Sequence, residues 1–130
     1  MSDLSTSLIM SASGLKAQAG RLNTISQNIA NSDTPGYRRK MTSFETVLDP
    51  TSGQASVIAR NAGLDQSALA VIYDPSHPLA DETGNYQGSN VSLMVEMADA
   101  REAQRSYEAN LRSFDNARQM TKSLLDLLRR

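Results

Sequence analysis

The sequence predicts a mainly α protein: two long terminal helices packing as a coiled-coil-like pair in an assembly, with a small irregular or β-hairpin insert between them. Two observations carry this. Apolar residues recur at heptad spacing near both ends of the chain, and the stretch between is broken by Pro, Gly and clustered turn formers. The expected divisions are an N-terminal helix in residues 1–33, an insert in 34–90 and a C-terminal helix in 91–130.

The first helix is expected over residues 4–31, roughly 40 Å long at 1.5 Å per residue. Leu8, Leu15, Leu22 and Ile29 fall at seven-residue intervals, and Leu4 and Ile25 occupy the second seam position. Ser11 and Gln18 interrupt that second position, and Ala12 and Ala19 flank the stripe. Gly14 and Gly20 each weaken the helix by about 1 kcal/mol relative to Ala. Such a helix is marginal alone and needs a partner.

The helix exit is sharply marked. Asn28 and Asn31 compete for backbone groups, Asn31-Ser32-Asp33-Thr34 is a run of turn formers, and Pro35-Gly36 fits the central positions of a type II turn. Asn31 reads as a helix-capping residue. Asn28, beside the apolar stripe, reads as a cross-bonding residue between helices of an assembly. The chain then leaves extended through Arg38-Arg39-Lys40, either a solvated basic run or a contact for an acidic patch on a partner.

In the insert, Asp49-Pro50-Thr51-Ser52-Gly53 is a turn cluster. Residues 55–60 and 69–73 carry β-branched side chains and are expected to pair as a hairpin, with Asn61 to Gln66 as its loop. Pro75 and Pro78 hold the following segment extended, and Asp81 to Asn85 reads as a turn.

From about residue 92 to 130 the pattern is helical again, about 58 Å long. Leu93, Ala100, Tyr107, Phe114 and Leu128 share one heptad position; Met97, Leu111 and Leu125 share the position expected to complete the seam. Met94, Met97 and Met120 read as core filler. Glu96 and Asp99 near the start and Arg129 and Arg130 at the end complement the helix dipole. The stripe is too long for the short insert to cover, so the helices pair with each other, with neighbouring subunits, or both. The interface is therefore expected along Leu8, Leu15, Leu22, Ile25, Asn28 and Ile29 of the first helix and Met97, Tyr107, Leu111, Phe114, Leu125 and Leu128 of the second. A free monomer is expected to leave both ends largely unordered, with the helices forming on assembly.

Composition narrows the function. A net charge of −1 gives no electrostatic footprint for nucleic acid or an anionic membrane. Cysteine and tryptophan are absent, which excludes disulfides, thiol catalysis and cysteine-based zinc sites. Met1-Ser2-Asp3-Leu4 lacks the basic start of a secretory signal, so the expectation is a cytoplasmic protein or one exported without a cleavable signal. His77, the single histidine, lies near Asp74, Asp81 and Glu82, but packing is the favoured role over metal or acid–base chemistry. No nucleophile elbow or phosphate-binding glycine loop occurs. No catalytic, cofactor or metal site is expected.

Two motifs carry a resemblance. Leu22-Asn23, Asn28-Ile29-Ala30-Asn31 and the turn Thr34-Pro35-Gly36-Tyr37-Arg38 together resemble the N-terminal signature of the bacterial flagellar axial proteins, the rod, hook and hook-associated subunits. Tyr73-Asp74-Pro75, His77-Pro78, Ala80-Asp81 and Gly84, followed by Asn90-Val91, resemble the central signature of a proximal rod subunit of that family, with Ser89 where the family usually has Pro. The short passage from Asn31 to Thr34 is instead similar to the related rod protein FlgB. The resemblance implies a structural subunit of the proximal rod, the drive shaft crossing the periplasm, exported by the flagellar type III apparatus without signal cleavage. The implied partners are copies of itself, the rod proteins FlgB, FlgF and FlgG, the adapter FliE and the MS ring at the rod base; no cofactor, nucleic acid or small-molecule substrate is implied. Two other classes stay open: a cytoplasmic helical binding module such as an export chaperone, and a small hydrolase using His77.

Overall fold

A computed structural model describes residues 2–130. The order of elements is α1 (Ser2–Ala30), β1 (Lys40–Leu48), β2 (Ala55–Leu64), β3 (Val71–Tyr73), β4 (Asn85–Gln87) and α2 (Leu93–Leu128). The two helices lie antiparallel. Asn28 faces Glu96, Arg21 faces Asp99 and Glu102, and Gly14 faces Asn110. Leu4, at the other end of α1, shares a groove with Met120, Leu124 and Leu127.

The heptad reading holds in part for α1, where Ile29 faces out and Ala17, off the stripe, is buried, and needs correction for α2. On α1, Ile25 is buried, while Leu4, Leu8, Leu15 and Leu22 are half-buried. The interrupting residues Ser11 and Gln18 also face inward, Ser11 being buried. On α2 one seam line is Ala100, Tyr107 and Phe114, as expected, continued by Thr121, all half-buried, while Leu93 and Leu128, expected at its two ends, are exposed. The other line is Glu96, Ala103, Asn110 and Ala117, not Met97, Leu111 and Leu125. Glu96, Ala103 and Ala117 are the buried residues of this helix. Met97, Leu111 and Leu125 point outward, as do Met94 and Met120, so the methionines are not core filler. The physical reason is distance. The helices approach closely, and a Cβ added at Gly14 would come within 2.9 Å of Asn110 Oδ1. At this closest approach there is room for Ala103, Asn110 and Ala117 but not for a leucine-sized side chain, while Tyr107, Phe114 and Glu96 fit elsewhere along the pair and Met97, Leu111 and Leu125 lie on the free face. Arg129 and Arg130 lie beyond the helix end, where the Arg129 N–H caps the Leu125 carbonyl at 3.2 Å.

The insert differs from the expected hairpin. β2 pairs antiparallel with β1, not with the segment near Tyr73. The turn cluster at Asp49 joins them: its carboxylate accepts the Thr51 N–H at 2.7 Å, and its carbonyl accepts the Gly53 N–H at 2.7 Å. A cluster that dense closes a short hairpin, which costs less chain entropy than pairing across a longer loop. Residues Asn61 to Leu64 therefore extend β2 instead of forming a loop, with a one-residue bulge opposite Lys40 to Thr42. β3 pairs with β4, placing Tyr73 opposite Asn85. The β1–β2 hairpin folds back along α1, with β2 nearer the helix: the Val57 N–H donates to Ser13 Oγ at 3.0 Å.

Candidate functional site

The junction where α1 ends and α2 begins holds the densest polar network. Thr34-Pro35-Gly36-Tyr37 forms the expected turn: the Tyr37 N–H donates to the Thr34 carbonyl at 3.1 Å, and Gly36 has φ +75, the value a type II turn demands at that position. Asn31 caps the helix as expected, donating through Nδ2 to the Gln27 carbonyl at 2.9 Å. The turn is tied to the chain before α2. The Gly36 N–H reaches the Gly88 carbonyl at 3.1 Å, and the Ser89 hydroxyl donates to the Ser32 carbonyl. Proline at position 89 would offer no such donor.

Asn28 sits at the centre, 1% exposed. Its Oδ1 accepts the Tyr37 hydroxyl and the Lys40 N–H, both at 2.9 Å, and its Nδ2 donates to the Lys40 carbonyl at 2.9 Å and toward Glu96 Oε2 at 3.4 Å. Glu96 is fully buried and pairs with Arg39 Nε; Arg39 Nη2 also reaches Asp99 Oδ2 at 3.0 Å. The hydrogen bond to Glu96 holds the Arg39 guanidinium above its ordinary pKa, against the opposing effect of burial. Desolvation, then the Glu96 charge, raises the Tyr37 phenol. Arg21 extends the network to Asp99 and Glu102 at 3.9 and 3.7 Å. On the other side, Asn90 Oδ1 accepts the Arg39 N–H at 2.6 Å and Arg38 Nη1 donates to the Asp65 and Ser67 carbonyls.

His77 stacks on Tyr86 with ring centroids 3.9 Å apart, and its Nδ1 accepts the Leu79 N–H at 3.1 Å. Asp74 and Asp81 are engaged in their own loops: Asp74 Oδ1 accepts the Ser76 hydroxyl and Asp81 Oδ1 the Thr83 hydroxyl, both at 2.6 Å. Among the described residues no group of histidines and carboxylates is arranged to hold a metal ion.

Comparison with known proteins shows what this architecture belongs to. The family described as "Flagella basal body rod protein" matches residues 8–38, which covers most of α1 and the turn. The family described as "Flagellar basal body rod FlgEFG protein C-terminal" matches residues 82–127, which covers the network's other half and most of α2. The flagellar basal-body rod protein FlgC of Agrobacterium fabrum is 42% identical over 99% of this chain and 98% of its own length. The chain belongs to the FlgC family of flagellar rod proteins. FlgC of Aquifex aeolicus is 36% identical over 88% of the chain and 89% of its own length, and FlgC of Salmonella typhimurium 32% over 91% and 92%.

As a FlgC-family protein the chain is a structural subunit of the flagellar basal-body rod, not an enzyme, and it assembles with other rod proteins. The family turn, Asn31, Thr34, Pro35, Gly36 and Tyr37, therefore has a definite structural role, since it delivers Tyr37, Arg39 and Lys40 to Asn28 and Glu96. Asn28 makes its bonds inside this chain, so the expected cross-bonding between subunits is corrected. The basic triplet is also engaged internally: Arg38 on carbonyls, Arg39 on two carboxylates, Lys40 Nζ on Gln27 Oε1 at 3.0 Å. Of the remaining stripe residues, the structure brings Leu8, Leu15, Leu22, Ile25, Tyr107 and Phe114 toward the helix pair. It leaves Ile29, Met97, Leu111, Leu125 and Leu128 facing out. Sequence reasoning missed Glu96 and Asn90. A carboxylate on the seam line of α2 was the available signal for Glu96; Asn90, in a family motif, carried none of its geometry.

Proposed function

We propose that this rod subunit builds the proximal rod, the drive shaft that crosses the periplasm, by packing the free face of α2 and the outer face of α1 against neighbouring subunits. One observation supports this above others. Leu93, Met94, Met97, Leu111, Leu125 and Leu128 stand exposed along a 36-residue helix, Met94 at 83%. Apolar surface spread over that length in a monomer marks a protein–protein interface. The neighbours are copies of itself and the rod proteins FlgB, FlgF and FlgG, with the adapter FliE and the MS ring at the base. Delivery is by the flagellar type III apparatus, without signal cleavage. Placing a photo-crosslinking residue at Leu125 in flagellated cells tests this reading. Crosslinks to rod proteins in isolated basal bodies are expected; crosslinks only to cytoplasmic proteins, or a chain absent from basal bodies, would overturn it.

A further inference from the structure

The β1–β2 hairpin has two edges that the fold treats differently. The β2 edge is covered by α1. Val57 sends its N–H to Ser13 Oγ, and Ala59 lies against Gly20, where an added Cβ would be 3.4 Å away. Because the Val57 N–H points away from β1, its partner Thr46 also turns its own N–H and C=O outward. The alternation of an antiparallel ladder gives Phe44, opposite Ala59, and Leu48, opposite Ala55, the same orientation. Among the described residues these outward backbone groups of β1 have no hydrogen-bond partner.

A free edge is normally blunted by proline, inward charge or a covering element. From Thr42 to Leu48 there is no proline, and the single charge, Glu45, is paired with Arg60 across the hairpin. Phe44 is 43% exposed and lines a groove of about 720 Å³ shared with Gly14, Gln18 and Asn110. Gln18 Oε1 is buried there without a hydrogen-bond partner. We infer that the outer edge of β1 is a strand-addition site that takes an extended segment of a neighbouring rod subunit.

Main-chain hydrogen bonds to Phe44, Thr46 and Leu48 supply the affinity, as in other edge-strand recognition. The residue set opposite Phe44 supplies specificity: it presents its side chain to the same face, at the groove mouth. An apolar side chain fits there, against Phe44 and Gly14. This rests on the rod reading above, since the partner is another rod subunit.

The test is amide hydrogen exchange on the free full-length chain and on isolated basal bodies. Phe44 and Thr46 are expected to exchange fast in the free chain and at least about tenfold more slowly in rods, while Glu45 and Val47, bonded to β2, are protected in both. A Thr46→Pro chain removes one outward N–H and is expected to keep the protection at Glu45 and Val47 yet fail to enter rods. Fast exchange of Phe44 and Thr46 within rods, or incorporation of a well-folded Thr46→Pro chain at the wild-type level, overturns strand addition alone. A chain absent from basal bodies overturns the rod reading instead. If Thr46→Pro loses the hairpin, exchange in wild-type rods decides the matter.

Discussion

The carboxylate of Glu96, at the start of α2, is fully enclosed and meets the guanidinium of Arg39, 57 residues earlier in the chain. This pair joins the exit of one helix to the start of the other. Arg39→Ala would leave Glu96 buried beside Asn28 without its cation and should destabilise the purified chain by about 3 kcal/mol. Replacing both residues, as Glu96→Leu with Arg39→Met, should recover most of that loss, because no buried charge remains unpaired. Urea denaturation of the three chains measures this; an Arg39→Ala chain as stable as wild type would show that the pair is peripheral.

Gly14 and Asn110 mark the closest approach of the helices. Gly14→Ala gains about 1 kcal/mol of helix propensity but drives its Cβ into the Asn110 amide, so the single change should be near neutral. In an Asn110→Ala background the same change should show the full gain of about 1 kcal/mol. The bulkier Gly14→Leu should separate the helices and destabilise in both backgrounds. Equal effects of Gly14→Ala in the two backgrounds would refute the close approach.

Acid should loosen the insert. The carboxyl groups of Asp81 and Asp74 lie below the ordinary value of 3.8, chiefly through the hydroxyls of Thr83 and Ser76; those of Asp49 and Asp65 do so chiefly through the N–H groups of Thr51 and Ser67. A carboxyl depressed by folding stabilises the fold fully above its unfolded value and loses that contribution as pH falls through the folded one. The window therefore lies below about pH 3.8. Carbon NMR titration of Asp81 should give a midpoint below 3.8, with amide exchange at Thr83 and Asn85 rising in step. A midpoint above 3.8 contradicts this.

His77→Ala removes the stack on Tyr86 and the acceptor for the Leu79 N–H, a local loss of about 1 kcal/mol. Swimming should persist, with faster exchange at Leu79 as the visible effect. Loss of swimming with intact rods would return a chemical role to His77.

The two helices and the turn between Thr34 and Tyr37 were legible in the sequence because each rests on local rules: heptad spacing, proline at one turn position and glycine at the next. The partner of β2 was not. Residues 40–48 mix charged and apolar side chains without clean alternation, since the hairpin lies largely at the surface. The second seam of α2 was misread for a related reason. Hydrophobicity pointed to Met97, Leu111 and Leu125, but helix separation selects for size, and Ala103 and Ala117 fit where leucine does not. Asn28 and Glu96 were visible as residue types; their meeting depends on a fold that brings positions 68 residues apart together.

The alanine and glycine seam has a mechanical corollary. Few rotatable side-chain bonds stand between the two helix backbones at Gly14, Ala103 and Ala117, so a force along the helix axis passes from backbone to backbone with little compliant material between. The apolar side chains at the pair, apart from Ile25, Ala17, Ala103 and Ala117, are only half-buried, however. The pair should therefore be stiff when one helix is pushed lengthwise past the other and weak when the two are pulled apart sideways. Such a part works under torque only while its flanks are held by others.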